Sequence, residues 1–243
     1  MRLGIILACA ALAEGAIAYS LPTAAVIVTT NAATYAFASF TPSGSAVLVI
    51  EACPTGSISS TAFIDSSAGA SLTWTLKTSE NNGTDACYLF WAKTPASPSA
   101  STFRFNTNGA NATGMAMAIK EWTGSDVTTA DPIRQAVANS GGSSTAPTWT
   151  VTAMSTNNGY ASYFRSTTNP PAVTAPTSWT RDTNSGYATP TTGTSSASRA
   201  GGETGTTITW ATTSATAWRG LAYEVYVAGA GPVFRPLSRM ITF

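Results

Sequence analysis

The sequence contains no histidine among its 243 residues. This absence excludes Ser-His-Asp and Cys-His nucleophile systems, histidine metal sites and the most common general base near neutral pH. Charged residues are also scarce: Asp, Glu, Lys and Arg make up only 9% of the chain, against about 25% in an ordinary globular protein. The net charge is +1. The basic residues are scattered, which argues against a nucleic-acid partner. We therefore expect no cofactor and favour a structural or binding role.

Cysteine is limited to Cys9, Cys53 and Cys87. No two of them form a C-x-x-C pair, so the usual zinc and redox motifs are absent and no metal site is expected. Cys53 and Cys87 lie in strand-like stretches and could form a disulfide across a sheet. Alternatively, all three are small buried apolar side chains, as free cysteines commonly are.

Small and hydroxyl-bearing residues dominate the composition. Ala (42), Thr (41) and Ser (28) supply nearly half of the chain, and 44% of all residues are hydrophobic. Threonine favours the pleated, half-buried surface of a sheet. Short runs of β-branched and aromatic residues, such as 46–50, 87–91 and 222–227, are separated by Gly, Pro, Asn and Ser. This pattern predicts an all-β fold, a two-sheet antiparallel β-sandwich.

The sequence also contains an internal repeat. Residues 101–124 and 206–229 share an alternating aromatic strand, a small polar turn and a second strand that ends at glycine, 105 positions apart. We predict two related halves at about 35–124 and 147–229, joined by a linker at 125–146. With about four strands in each half, the total of about eight strands favours a jelly-roll-like sandwich. Chance similarity within a threonine-rich β protein is the alternative.

The remaining segments are predicted to lie outside the sheets. The low-complexity stretch 187–205 is predicted to be a long exposed loop. Residues 1–34 are predicted to form an N-terminal apolar arm or first strand. Within them, residues 1–20 look like a secretory signal with an A-x-A cleavage site at 16–18, but Glu14 interrupts the apolar run. We favour an uncleaved arm that is too short to span a membrane comfortably.

The C-terminal segment 230–243 differs in composition from the rest of the chain. It contains two prolines, two arginines and an apolar end. We expect it to be an arm that contacts neighbouring subunits, with Phe234, Arg235, Arg239 and Phe243 as candidate assembly contacts.

Other candidate site residues are aromatic or acidic. Most of the seven tryptophans are expected in the core, but Trp179 and Tyr187, beside the low-complexity stretch, are candidate glycan contacts. Glu121 and Glu224 fall at matching places in the two halves and could form a glycosidase pair. We expect each of them instead to pair with a neighbour on its sheet, such as Lys120 or Arg219, so that there is no catalytic site.

Several short motifs occur in a characteristic order along residues 35–229. They are Phe40-Thr41-Pro42-Ser43-Gly44 with Val47-Leu48-Val49, Ile64-Asp65-Ser66-Ser67-Ala68-Gly69 with Trp74-Thr75, Phe90-Trp91-Ala92-Lys93, Glu121-Trp122-Thr123-Gly124 and Ser178-Trp179-Thr180. Together they resemble a Thr/Ser-rich β-sandwich module of bacteriophage virion proteins and bacterial surface proteins. No catalytic residue set comes with this module.

The resemblance implies a non-enzymatic structural protein of a bacteriophage-like virion. Such a chain would serve as a capsid decoration, head-fibre or tail-surface subunit, located on the virion and partnered by other virion subunits and by copies of itself. The alternative is a secreted or cell-surface adhesin, a carbohydrate-binding module whose partner is a host-surface glycan.

Overall fold

The computed structural model describes residues 16–56, 58, 61–69, 71–81, 85–144, 146–168, 172–189, 191–212 and 216–229. None of these residues is helical, and accordingly no membrane-spanning helix is found among them. The strands are β1 (Ala18–Ser20), β2 (Val26–Val28), β3 (Thr34–Ala36), β4 (Val47–Thr55), β5 (Phe63–Ala68), β6 (Thr75–Asn81), β7 (Ala86–Lys93), β8 (Thr102–Asn106), β9 (Gly114–Thr123), β10 (Ile133–Ser144), β11 (Thr148–Thr150), β12 (Gly159–Ser166), β13 (Val173–Thr174), β14 (Thr180–Ala188), β15 (Thr191–Ala200), β16 (Thr207–Thr209), β17 (Ala211–Thr212) and β18 (Thr216–Val225).

Two main sheets have the same strand order. The first runs β1-β9-β4-β7-β6, with β2 also paired to β9, and the second runs β10-β18-β12-β15-β14. All pairings are antiparallel. Strands β9, β4, β7 and β6 of the first sheet thus correspond to β18, β12, β15 and β14 of the second. Each main sheet is built entirely from its own half of the chain.

Three small sheets complete a four-layer stack. Their orders are β3-β8-β5, β11-β16 and β13-β17. One apolar cluster, which includes Leu89 and Leu221, lies between the two main sheets. A second, which includes Phe105, lies between the first main sheet and β3-β8-β5. The third, which includes Trp210, lies between the second main sheet and the other two small sheets.

This stacking covers the central strands on both faces. Every residue of β4 and every residue of β12 is buried. A strand covered on both faces loses the alternation of buried and exposed side chains that a one-sided sheet shows. Polar residues on these strands must therefore find hydrogen-bond partners inside the protein.

The all-β antiparallel sandwich is confirmed, but two finer expectations are wrong. The described residues form eighteen strands rather than about eight. The expected linker 125–146 contains β10, which pairs with β18 along most of its length. Residues 1–34 were expected to form an arm or a first strand, and the described part of this segment contributes β1 and β2, which pair with β9. The segments 1–15 and 230–243 lie outside the described residues.

The low-complexity stretch 187–205 is not an exposed loop. Its centre is β15, which lies between β12 and β14, and its residues 192–198 are all buried. The hydroxyl groups of Ser196 and Ser198 meet charged partners, Lys120 of the first main sheet and Asp182 of the adjacent strand β14. On the opposite face, Ala197 packs into the third apolar cluster. Small side chains suit this position because the strand is covered on both faces.

Candidate functional site

A charged cluster, formed by Lys120, Glu51 and Asp182, lies between the two main sheets. The Lys120 Nζ lies 3.0 Å from Oε1 of Glu51 and 3.1 Å from Oδ2 of Asp182. The Lys120 and Glu51 side chains are fully buried, and that of Asp182 is 3% exposed. Glu51 and Lys120 come from adjacent strands β4 and β9 of the first sheet, whereas Asp182 comes from β14 of the second. The cluster therefore joins the two halves of the chain.

A β-bulge brings Asp182 into this position. The register of β14 against β15 shifts between Arg181 and Thr183, so that Asp182 has no partner residue in the ladder. A bulge of this kind re-aims a side chain. The first sheet has a matching bulge at Lys77 of β6, 105 positions earlier. Lys77 pairs with Asp131, in the segment that leads into β10. Both bulges therefore aim a charge toward the partner half.

Two serines of β15 complete the hydrogen bonding of the charged cluster. Lys120 Nζ donates to Oγ of Ser196 at 2.5 Å. The Oγ of Ser196 in turn lies 3.3 Å from Oε2 of Glu51. Ser198 donates to Oδ2 of Asp182 at 2.6 Å. These contacts offset the free-energy cost of moving charged groups out of water. That cost is large for any charged group that stays unpaired.

The charges in this cluster do not balance, since one ammonium group faces two carboxylates. Burial raises the pKa of the Glu51 carboxyl above its usual value, and Lys120 only partly opposes this shift. For Lys120, burial lowers the pKa, but attraction to Glu51 and Asp182 outweighs it, so the pKa of the ammonium lies above its ordinary value. Uptake of one proton by Glu51 makes the cluster neutral, which is the least costly state in a medium of low dielectric constant.

Aromatic side chains of the second sheet surround the cluster. Tyr163 and Tyr223 are fully buried members of the apolar cluster between the main sheets. Burial raises the pKa of both phenols well above the usual value. Trp122 of the first sheet packs edge-on against Tyr223, with ring centroids 6.4 Å apart. Charged groups and aromatic rings thus share the interior between the two main sheets.

The structure joins Cys53 to Cys87 by a disulfide. The two residues lie on neighbouring strands β4 and β7 and are fully buried in the apolar cluster between the main sheets. Thirty-four positions of sequence separate them. The disulfide therefore closes a loop within the first half, whereas the charged cluster links the two halves.

The two candidate glycan contacts are far apart. Trp179 directly precedes β14 and Tyr187 lies near its end, so roughly 25 Å of extended chain separates them. Trp179 is half-buried and donates its indole N–H to Glu203 at 2.8 Å. Tyr187 is buried, and its hydroxyl lies 2.6 Å from that of Thr55 in the first half. The two aromatic rings therefore form no common platform.

The matching glutamates serve separate polar networks. Glu121 accepts hydrogen bonds from both N–H and Oγ of Ser43, at 2.6 and 2.7 Å. Glu224 pairs with Arg134 at 2.5 Å and accepts hydrogen bonds from the N–H of Ser155 and the amide of Asn158. Glu224 therefore pairs with a neighbour on its own sheet as expected, but this neighbour is Arg134 of β10 rather than Arg219, and Glu121 bonds to Ser43 rather than to Lys120. Adjacent residues of a strand face opposite sides, which separates Lys120 from Glu121.

Both ends of the described chain meet at Gly124, which we call the terminal pole. A side-chain carbon added at Gly124 would lie 2.4 Å from the carbonyl oxygen of Ala16. The N–H of Ala228 donates to the carbonyl of Gly124 at 2.8 Å. A groove of about 530 Å³ opens beside this pole, lined by Ala16, Val227, Arg199 and neighbouring residues. The expected assembly contacts Phe234, Arg235, Arg239 and Phe243 lie outside the described residues.

Sequence reasoning missed the charged cluster, although a signal for it exists. Glu51 is a single charge inside an apolar strand run, and Lys120 follows an apolar run with Glu121 on the opposite face of its strand. A charge that is alone on a covered face requires a buried partner. Nothing in the sequence identifies Asp182 as that partner, because its position depends on the bulge. Comparisons of this chain with protein-family models, with curated proteins and with solved structures each found no match.

Proposed function

We propose that this chain is a non-enzymatic structural protein of a bacteriophage-like virion, a capsid decoration, head-fibre or tail-surface subunit. The observation that carries the proposal is the terminal pole, where Ala16 and Ala228 both contact Gly124. The first and last described parts of the chain therefore lie side by side at one end of the sandwich. Such an arrangement suits a body that is attached at one end while the rest of its surface faces solvent.

The interior supports the same proposal. Three ion pairs connect the halves or the segment between them: Lys120–Asp182, Lys77–Asp131 and Arg165–Asp85. Within the first half, the disulfide adds a covalent link. The ion pairs connect the two halves, and the disulfide joins two neighbouring strands of the first main sheet. A rigid body stabilised in this way suits a subunit that must persist outside a cell.

Particles purified from the culture that produces the chain provide the test. We expect the full-length chain in the particle fraction, detected by mass spectrometry and by antibody labelling in the electron microscope. Deletion of 230–243 or of 1–15 is expected to release the folded chain from particles, with Trp179→Ala as a matched control that stays bound. The N-terminal deletion stops at residue 15 because Ile17 is buried and β1 belongs to the sheet.

Two results would argue against the proposal. A full-length chain that is absent from purified particles refutes the virion role. Particles that retain both deletion variants at wild-type levels refute the assembly role of the terminal segments.

Glycan binding by a surface adhesin is the second candidate, favoured by the groove beside the terminal pole. Arg199 lines this groove and forms an ion pair with Glu203, which holds the indole of Trp179. A half-exposed indole beside charged hydrogen-bonding groups is a suitable sugar contact. This alternative predicts glycan-array binding that is lost in Trp179→Ala and kept in Leu76→Ala, a control at an exposed apolar residue of β6.

A further inference from the structure

The amine of Lys120 and the carboxyl group of Asp182 are close enough to condense to an amide. They come from opposite main sheets, and Nζ and Oδ2 are 3.1 Å apart. Their side chains are 0% and 3% exposed. A second carboxyl group, Glu51, contacts the same nitrogen at 3.0 Å. An amine, a carboxyl group and a proton carrier are thus held together where water is excluded.

We propose that Lys120 and Asp182 form an intramolecular amide cross-link, in which Lys120 Nζ is bonded to Cγ of Asp182 and Glu51 relays the protons. This cross-link would be a second covalent connection of the chain, and it would join the two halves. It forms without any other molecule.

The reaction balances within the cluster. Lys120 begins as an ammonium, Asp182 as a carboxylate and Glu51 as a protonated carboxyl group. Transfer of a proton from Nζ frees the lone pair, which attacks Cγ and forms the new C–N bond. The bond from Cγ to Oδ1 of Asp182 then breaks. That oxygen leaves as water with two protons that Nζ has given up, and Glu51 ends in its starting state.

The surroundings favour this condensation over the separated ions. In a medium of low dielectric constant, proton transfer from the ammonium to a carboxylate removes both charges, so the neutral amine lies closer in free energy to the ion pair than it does in water. Holding the reacting groups in contact replaces an encounter in solution by an intramolecular step, which corresponds to a very high effective concentration. Exclusion of water also disfavours hydrolysis of the product.

Serines of β15 orient and polarise the reacting carboxyl group. Ser198 donates to Oδ2 of Asp182 at 2.6 Å, where it can stabilise the negative charge that develops on this oxygen during attack. Ser196 accepts from Nζ of Lys120 and holds it between the two carboxyl groups. The β-bulge at Asp182 places its carboxyl group beside Lys120 and these two serines.

Mass spectrometry of the reduced, denatured full chain tests the proposal. Reduction removes the contribution of the disulfide, so the cross-linked chain is lighter than its sequence mass by one water molecule. Because trypsin cannot cleave after a modified Lys120, digestion is expected to yield a branched peptide of 105–134 joined to 182–199. The unlinked chain gives 105–120, 121–134 and 182–199 as separate peptides.

Substitutions test which residues the cross-link requires. Glu51→Gln preserves shape but cannot relay protons, so we expect the full sequence mass and three separate peptides. Lys120→Met is expected to show its own full sequence mass, with a linear peptide 105–134 and a separate peptide 182–199, because trypsin has no site at position 120 in this variant. Lys77→Met removes the matching bulge lysine of the first sheet, which pairs with Asp131 instead, and is expected to retain the water loss. Circular dichroism establishes that each variant is folded.

A wild-type chain of full sequence mass that yields only separate peptides overturns the proposal, whether or not the variants fold. Loss of water with linear peptides places the dehydration elsewhere and also overturns it. A folded Glu51→Gln chain that still carries the branched peptide refutes the relay role of Glu51. None of these outcomes depends on particle binding, so they leave the proposed function to its own test.

Discussion

Removal of the Cys53–Cys87 disulfide is expected to destabilise the protein strongly. The variant carries Cys53→Ala together with Cys87→Ala, so that neither position leaves a free thiol in the apolar cluster between the main sheets. Alanine is the suitable replacement because both positions are fully buried and must stay apolar. Cys9→Ser serves as the control because it leaves the disulfide intact.

The expected magnitude follows from the size of the closed loop. The two cysteines are 34 positions apart, for which the chain-entropy relation gives about 4 kcal/mol of stabilisation at 25 °C. Loss of the buried sulfur atoms adds to this value. The proposed cross-link between Lys120 and Asp182 encloses a different stretch of chain, so the two contributions are expected to add.

Urea denaturation followed by tryptophan fluorescence measures the effect. The midpoint of the double variant is expected to lie about 1–2 M lower than that of the wild type, given a typical dependence of the unfolding free energy on urea. Wild-type protein unfolded in the presence of a thiol reductant should show a similar midpoint. A double variant within about 1 kcal/mol of the wild type would refute a stabilising role for loop closure.

Limited trypsin digestion, alkaline titration and a glycine substitution probe other features. Because Arg199 lies at the end of β15 rather than in an exposed loop, cleavage after it is expected to be slow in the folded chain; rapid cleavage there would contradict the strand. Burial raises the pKa of Tyr163 and Tyr223 above the ordinary value of 10.0. Their neutral forms therefore stabilise the fold below about pH 10, and this stability is lost as the pH rises further; the part of the ultraviolet phenolate absorbance that these two residues contribute should appear only on unfolding, and Tyr163→Phe with Tyr223→Phe should remove it. A side-chain carbon at Gly220 would lie 2.2 Å from the carbonyl oxygen of Tyr163, so Gly220→Ala should lower the unfolding free energy by about 2 kcal/mol or more. Gly142→Ala, which meets nothing within 4 Å, should leave it nearly unchanged in the same thermal melt.

The repeat in the sequence has a clear counterpart in the fold. The 105-position offset between matching segments equals the offset between the bulges at Lys77 and Asp182. Short runs of β-branched and aromatic residues marked many of the strands, because these side chains suit a pleated and covered surface. Composition and local pattern were therefore sufficient to predict an antiparallel β-sandwich.

The four-layer arrangement could not be predicted in the same way. In β15, Ser196 is buried where it accepts a hydrogen bond from Lys120 of the other half, and Ser198 is buried where it donates one to Asp182 of the adjacent strand β14. Threonine and serine in an exposed loop would give the same local sequence. Likewise, β10 lacks a strong alternating pattern and is held by its pairing with β18. These features depend on contacts between distant parts of the chain, which a local pattern does not contain.

Because each main sheet forms from its own half of the chain, the first sheet is completed before the second during synthesis on the ribosome. The first sheet is complete once the chain has reached Thr123, but one of its faces, including Val47 and Leu89, is covered only by the second half. Until that half emerges, the nascent protein presents an apolar surface, which is a hazard for aggregation. At high local concentration, the second half of one molecule can cover the first half of another. We therefore expect domain-swapped dimers, linked through residues 124–132, as the characteristic misassembled form during overexpression.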